Sequence, residues 1–381
     1  MGEFVSTDIR LLQGAHEWFD ALLADIHCAQ REILLETYTV AETGRVVEVF
    51  DALIAAAKRG VHVALLADAL GCGEAPHAWL YRLHSAGIHT KLYAPLRRMD
   101  WLLPGNWHRL HRKLCVIDAY TVYCGGMNLL DDYWDPHHGH LVAPRLDFAV
   151  RLQGSIALAV RAAMHTAKVA LPLQTLPKAR VTPRSVGQGW EFLLRDNFTK
   201  RVRIEKAYLR AIGRAQSEVW IANAYFLPGR KMRHALMRAA ARGVDVRLFL
   251  QGRYEYFWQY HGARAIYGML LASGVKIYEY KASFLHAKVA VVDACTTRPW
   301  FTVGSSNLDP LSLLLNLEAN VAGSDAAFAL VLRERLDQLM HSAGHAVEPT
   351  AYAARSLTGK VREWLAYSLM RAMLWLAGRR Y

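Results

Sequence analysis

The sequence predicts an α/β protein of two similar lobes, each a mixed sheet flanked by helices, with a functional site where the lobes meet. Three observations predict it. At 381 residues the chain exceeds the usual size of one domain. A long internal repeat sets two halves in step. Within each half, apolar runs rich in Val, Ile and Leu alternate with segments of helical period, the pattern of strand-helix-strand units.

The repeat opens with "AQREILLETYTV" (Ala29 to Val40), echoed by "AQSEVWIANAYF" (Ala215 to Phe226). A helix is expected next in each copy, Val46 to Lys58 and Met232 to Arg242, ending on Arg59-Gly60 and Arg242-Gly243. The cation suits the last turn of a helix and glycine supplies the left-handed cap. Then "SAGIHTKLYAP" (Ser85 to Pro95) matches "ASGVKIYEYKA" (Ala272 to Ala282), and "LHRKLCVID" (Leu110 to Asp118) matches "LHAKVAVVD" (Leu285 to Asp293). The copies close on "GGMNLLD" and "GSSNLDP". These limits give a first lobe over 1–170, a linker over 171–200 that is proline-bearing and without periodicity, a second lobe over 201–345, and a tail over 346–381 that has no counterpart in the first copy.

A composition of 53% hydrophobic residues with a formal charge of +13 describes a globular protein whose positive field favours anionic partners: nucleic acid, acidic lipid or phosphorylated metabolites. Five cysteines, odd in number and without CxxC spacing, argue against a disulfide framework or a thiolate metal site and fit a reducing compartment. The amino terminus lacks a basic segment followed by an apolar core, so no signal peptide is expected and a cytoplasmic location follows. The longest apolar run, near the carboxyl end, is broken by Arg371 before it reaches the ~18 residues that cross a bilayer, so any membrane contact is expected to be peripheral.

The chemistry sits in a duplicated constellation. The first copy reads His111-x-Lys113-x4-Asp118 followed by Gly125-Gly126-x-Asn128, and the second reads His286-x-Lys288-x4-Asp293 followed by Gly304-Ser305-x-Asn307. On a strand, positions i and i+2 share a face, so histidine and lysine of each copy are expected to project together. Lysine and asparagine hold phosphate oxygens, and histidine attacks or moves a proton near neutral pH. Two such sets supply both partners of a two-step displacement, one imidazole as nucleophile and the other as acid and base. The paired lysines bring the positive charge that a divalent cation would otherwise carry, so neither a metal nor another cofactor is expected. A single His-x-Lys on a strand is more often a half-exposed face; its recurrence at matching repeat positions is what argues for a site. Arg109 and Arg112 are read as attracting an anionic surface, and His108, which has no partner in the second copy, as a loop or interface residue. The cluster "PHHGH" (Pro136 to His140) is not read as a metal site.

These motifs resemble the phospholipase D superfamily, whose signature is a duplicated HxKxxxxD followed by G-[GS]-x-N. The similarity spans both lobes, about 30 to 325. "VGSSNLDPLSLLLNLEANV" (Val303 to Val321) and "IANAYFLPG" (Ile221 to Gly229) look most like bacterial cardiolipin synthases of the B type. The resemblance implies His111 as nucleophile, His286 as general acid and base, and Lys113, Lys288, Asn128 and Asn307 as phosphate ligands. It also implies a histidine-orienting carboxylate beyond each asparagine, Glu318 and Asp147. Asp118 and Asp293 complete the motif and are counted with the catalytic set, though they look structural. One departure is the longer gap after Asp293, read as a longer hairpin turn.

The superfamily also contains nucleases and phosphodiesterases. On a helical wheel, the tail places Leu365, Leu369, Ala372, Met373 and Leu376 on one side and Lys360, Trp364, Tyr367, Arg371 and Trp375 on the other, which describes a helix in a membrane interface or, alternatively, one docked on the core. "RYEYFWQYHG" (Arg253 to Gly262) lines a lipid entrance or fills a loop, and aromatics among cations also stack nucleotides. The expected protein is a phosphatidyltransferase that makes cardiolipin from phosphatidylglycerol, peripheral on the cytoplasmic face of a bacterial inner membrane, with anionic phospholipid and not nucleic acid as its partner. The alternatives are a phospholipase D hydrolase, a nucleic-acid phosphodiesterase, and a membrane adaptor with a vestigial site.

Overall fold

The computed structural model describes residues 9–73, 78–95, 108–136, 138–165, 189–196, 200, 202–310, 312 and 316–376. The chain divides into two compact units, Met1–Asp196 with Val303–Ser305 and Asn316–Gly323, and Asn197–Thr302 with Ser306–Leu315 and Ser324–Tyr381.

The first unit contains β1 (Ile9–Gln13), α1 (Gly14–Cys28), β2 (Glu32–Thr37), α2 (Arg45–Lys58), β3 (His62–Asp68), α3 (Ala78–Ser85), β4 (His89–Tyr93), β5 (Leu114–Ile117), β6 (Thr121–Gly125), the short hairpin β7 (Trp134–Asp135) and β8 (Gly139–His140), β9 (Phe148–Gln153), α4 (Ile156–Met164) and β10 (Trp190–Arg195). Its sheet runs β1-β9-β6-β5-β2-β3-β4, with β2, β3 and β4 parallel and the other pairings antiparallel. All six residues of β2 are buried, as a strand covered on both faces requires. The amphipathic helices supply one cover: α1 buries Trp18, Phe19, Leu22 and Ile26, and α2 buries Val46, Val49, Phe50 and Leu53, in each case at helical spacing.

The second unit contains α5 (Arg203–Arg214), β11 (Glu218–Asn223), α6 (Arg230–Ala241), β12 (Asp245–Gln251), α7 (Phe257–Ala272), β13 (Lys276–Tyr280), β14 (Lys288–Val292) and most of β15 (Trp300–Gly304). After β16 (Glu318–Gly323), which counts with the first unit, it continues with α8 (Ala326–Ala343), β17 (Gly344–Ala346), α9 (Pro349–Ala353) and α10 (Leu357–Leu376). Its strands follow the order β15-β14-β11-β12-β13-β17, with β11, β12 and β13 parallel.

The two copies of the repeat correspond strand for strand. Helices α2 and α6 both end at the expected cation, and Gly60 and Gly243 follow with φ of 91° and 87°, the left-handed cap. Even the helix fastenings repeat. Arg161 of α4 grips Glu32 at the start of β2, and Arg333 of α8 grips Glu218 at the start of β11 at 2.9 and 3.1 Å. The repeat and the compact unit are nonetheless different things, because β16, the last strand of the second copy, pairs antiparallel with β10 in the first unit.

Two segments differ from their sequence reading. Residues 190–195, inside the stretch read as a linker, form β10, in which Trp190, Phe192, Leu193 and Leu194 are buried; residues 171–188 lie outside the described residues. The tail helix α10 packs along α7, with Ala366 and Glu363 turned inward and Arg355 holding Glu363 at 2.6 and 2.8 Å. Its Leu357, Val361, Trp364, Leu365 and Leu369 stay exposed, so Trp364 shares the outward side with the leucines instead of flanking them. The side chains of Met373, Trp375 and Leu376 lie outside the described residues.

Gly125 lets β6 approach β9: a Cβ there would stand 2.5 Å from the Ala149 Cα and from the Phe148 carbonyl oxygen. Gly125→Ala is expected to cost about 1–3 kcal/mol, as overpacking does, and to lower the unfolding temperature in a thermal melt; an unchanged melting temperature would show that the strands separate freely.

Candidate active site

In the first unit the histidine motif starts before its strand. Leu110 to Lys113 form an extended lead into β5, bridged to the lead into β16 by Leu110 and Leu317. The His111 N–H donates to the Leu317 carbonyl at 3.0 Å and the Leu317 N–H donates to the Arg109 carbonyl at 2.8 Å. This clasp sets the first residue of β16, Glu318, against the imidazole. Its carboxylate oxygens lie 2.9 and 3.1 Å from His111 Nδ1. Glu318 is wholly buried, and Ser305 Oγ donates to its second oxygen. A carboxylate there favours the imidazole tautomer with the proton on Nδ1, which leaves Nε2 with its lone pair.

Neighbouring groups complete the set. Lys113 Nζ donates to the His111 carbonyl at 2.8 Å and lies 5.3 Å from the centre of the Tyr38 ring, which meets the imidazole edge-on at 5.1 Å. The Asn128 carboxamide oxygen accepts the Thr39 N–H at 3.2 Å, so its NH₂ is the end offered onward. Asp147 is buried, its Oδ1 accepting the Phe148 N–H at 2.7 Å; a Cβ on Gly126 would lie 2.2 Å from that oxygen, so glycine is required.

The second motif is described in its own unit. Lys288 opens β14 and its ammonium donates to the carbonyl of His286, the same fold-back as in the first copy. The Asn307 carboxamide oxygen accepts the Tyr225 N–H at 3.4 Å, the counterpart of the Thr39 bond. Lys288 and Asn307 are buried and His286 is half-buried.

Asp118 and Asp293, counted with the catalytic set from the motif, sit at the other end of the strands. Each has a left-handed backbone (φ 52° and 53°) and spends its carboxylate on N–H groups, Asp118 on residues 30–32 and Asp293 on residues 216–218. At about 3.3 Å per residue, roughly 20 Å of chain separates each from its histidine, so they shape a turn and touch no reacting group. Arg109 and Arg112, read from the sequence as attracting an anionic surface, turn inward instead. Both are buried: Arg112 is paired with Glu36 at 2.8 and 2.9 Å, and Arg109 donates to the Ala94 carbonyl at 2.9 Å with Asp68 3.8 Å away, so neither faces a lipid surface.

Sequence reasoning missed Asp68, Gln251 and Tyr38. Asp68 closes β3 and accepts the Leu110 N–H at 2.7 Å; Gln251 closes β12 and accepts the Leu285 N–H at 2.9 Å. Each thus fixes the residue just before a motif histidine. Burial raises the Asp68 carboxyl above its usual range, opposed by the Leu110 N–H and by Arg109. The available signal was their shared place at the end of matching strands, "VALLAD" and "VRLFLQ".

A family model described as a cardiolipin synthase, phospholipase D-like domain matches residues 22–143 and 208–340. The chain belongs to this family. Cardiolipin synthase B of Shigella flexneri and that of Escherichia coli K12 are each 35% identical over 378 residues, covering 97% of this chain and 89% of the relative. A crystal structure of a phosphatidylserine synthase from Haemophilus influenzae superposes with a TM-score of 0.70 at 14% identity, covering 97% of this chain and 94% of the other, a likeness of fold. The phospholipase D-like architecture therefore accounts for the two similar mixed-sheet lobes.

Glu318→Gln keeps the shape of the contact and removes its charge. Nitrogen NMR of histidine-labelled protein is expected to show His111 protonated on Nδ1 at neutral pH and to lose that preference in Glu318→Gln; an unchanged tautomer would show that Glu318 does not set it.

Proposed function

We propose that this phosphatidyltransferase, a cardiolipin synthase of phospholipase D type, works through a covalent phosphohistidine on His111. One observation carries the assignment: Nδ1 of His111 is held by the buried Glu318, which leaves Nε2 as an in-plane nucleophile. In the first step Nε2 attacks the phosphorus of phosphatidylglycerol, the phosphatidyl-histidine bond forms, and glycerol leaves with a proton from His286. In the second step His286 takes the proton of a hydroxyl on another phosphatidylglycerol, whose oxygen displaces His111 to give cardiolipin. Lys113, Lys288, Asn128 and Asn307 are proposed to hold the phosphoryl oxygens, and Asp147, which stands in the repeat where Glu318 stands, is proposed to orient His286. Water in place of the second lipid gives hydrolysis, so transfer depends on keeping water out.

The partner surface is proposed to be an anionic membrane on the cytoplasmic side. Among the described residues no helix is long and apolar enough to cross a bilayer. Support for peripheral contact comes from Leu357, Val361, Leu365 and Leu369 of α10 with Phe257 and Trp258 of α7, all exposed and lining a groove of about 580 Å³, and from Trp364, exposed on the same helix. Lys360, Arg362 and Arg371 are exposed on the same helix, cations beside an apolar stripe.

Incubation with labelled phosphatidylglycerol in mixed micelles containing a chelator is expected to yield cardiolipin and glycerol, and His111→Ala is expected to lower the rate by roughly 10⁴-fold or more. Cardiolipin formation that survives His111→Ala would sink the mechanism, and cleavage of DNA without lipid turnover would favour a phosphodiesterase. Separately, Trp364→Ser combined with Leu365→Ser is expected to weaken sedimentation with phosphatidylglycerol vesicles by about 10-fold or more, given roughly 25 cal/mol per Å² of apolar contact, while micellar turnover is retained; undiminished sedimentation would remove α10 from the contact.

A further inference from the structure

We infer that Asn223 is an additional donor to the phosphoryl oxygens in the second motif, an inference that rests on the phosphatidyl-transfer reading above. Asn223 is the last residue of β11 and stands opposite Lys288 in the antiparallel pairing of β11 with β14. Opposed residues of such a pair project to the same side of the sheet, so the carboxamide shares a side with the Lys288 ammonium. Its oxygen is fixed: Oδ1 accepts the N–H of Leu308 at 3.1 Å, the residue directly after the phosphate-binding Asn307. That bond decides which end of the amide is which, and it leaves Nδ2 as the other end. Asn223 is 0% exposed and Nδ2 finds no hydrogen-bond partner among the described residues.

A buried N–H group without an acceptor keeps the full cost of its lost hydration, and such a group in a native protein asks for an explanation. An anion supplied by the substrate answers it. Lys288 and Asn307 are buried to the same degree, 0% and 2% exposed, so burial does not set Asn223 apart from the ligands that the motif already provides.

In the first motif Thr37 occupies the equivalent place, and its Oγ1 receives the N–H of Leu129, the residue after Asn128, at 3.4 Å. The same hydroxyl donates to the Thr39 carbonyl at 3.1 Å. The bond to the chain beyond the asparagine is therefore common to both motifs, while at this place the side-chain donor without a partner among the described residues is the one in the second. A carboxamide beside an ammonium and a second carboxamide suits the non-bridging oxygens, on which negative charge builds as phosphorus becomes five-coordinate. The two motifs then divide the work: the first supplies the carboxylate-held nucleophile, and the second is the better holder of the phosphoryl group.

Asn223→Thr installs the solution that the first motif already uses, keeping an acceptor for Leu308 and removing the amide donor. Orthovanadate, which adopts five-coordinate geometry, is the probe, titrated calorimetrically into the full chain in micelles, alongside turnover of phosphatidylglycerol. The expected result is an unchanged melting temperature, vanadate affinity and kcat each lower by roughly 10- to 100-fold, as loss of a hydrogen bond to a charged group gives, and KM little changed. Wild-type vanadate affinity and kcat in Asn223→Thr would overturn the inference and leave Asn223 as a mere anchor for Leu308. Should the threonine variant melt early, Asn223→Asp retains the acceptor and the shape without the donor, and vanadate binding of wild-type strength in that variant would equally overturn it. A wild-type chain that binds vanadate in an Asn223-dependent way but turns over no phosphatidylglycerol sinks the lipid reading alone; a wild-type chain that binds no vanadate sinks the inference.

Discussion

A carboxylate shut away from water beside an imidazole is the constraint on which the site depends. Glu318 has no exposed surface, so its charge must be met by groups that the fold brings to it, and those are Nδ1 of His111 and the hydroxyl of Ser305. Meeting it takes β16 out of the second repeat and into the first unit, clasped by Leu317 to the carbonyl and N–H groups around His111. A repeat that closed on itself would have left His111 without that partner. The glycine and serine that follow each β6-type strand belong to the same constraint. Gly126 leaves space for Asp147, whereas Ser305 fills its equivalent place and donates to the longer Glu318. Side-chain length and hydroxyl are exchanged together.

Comparing the copies separates what scaffolds the motif from what distinguishes its two versions. Shared are the aspartates that cap three successive N–H groups, the residue at the end of β3 or β12 that holds the chain before histidine, and the asparagine oxygen that accepts from the chain two residues past β2 or β11. These bonds all use backbone partners, which any duplicated chain keeps if it keeps the fold. The differences lie in side-chain chemistry: Asp68 against Gln251, and Thr37 against Asn223. An ionisable group near one histidine and an amide near the other gives the imidazoles different surroundings from the same backbone plan.

Much of this was legible in the sequence because repetition converts weak patterns into strong ones. The α/β class, the paired strands and helices and the Arg-Gly helix ends follow from periodicity and cap chemistry that occur twice, at Arg59-Gly60 and Arg242-Gly243. His111, Lys113 and Asn128 were legible as types in order, and Glu318 from its motif. What the sequence hid was non-local. Nothing in "WEFLLR" says that it becomes the edge partner of β16, since so short a stretch of mostly apolar residues suits a linker's end as well as a strand. Nor does "HRLHRK" say whether its arginines face water. Charge alone suggested a surface, but Glu36 and Asp68, from strands far earlier in the chain, draw Arg112 and Arg109 inside.

That inward turn changes where attraction for the proposed anionic membrane comes from. Arg112 is neutralised by a buried carboxylate at hydrogen-bonding distance and Arg109 has one within 4 Å, so these charges are spent on holding the lead into β5, and their field is largely cancelled at the surface. The formal excess of +13 must therefore act through exposed cations such as Lys360, Arg362 and Arg371, which lie on a helix whose apolar stripe faces outward. Under the proposed function, long-range attraction and apolar contact fall to α10, while the motif lysines, buried and turned onto the carbonyls of their own histidines, are left for the phosphoryl group. Separating the two tasks has a physical advantage: salt screens exposed charges strongly and buried ones weakly, so binding to the membrane can weaken with ionic strength while the chemistry at phosphorus stays the same.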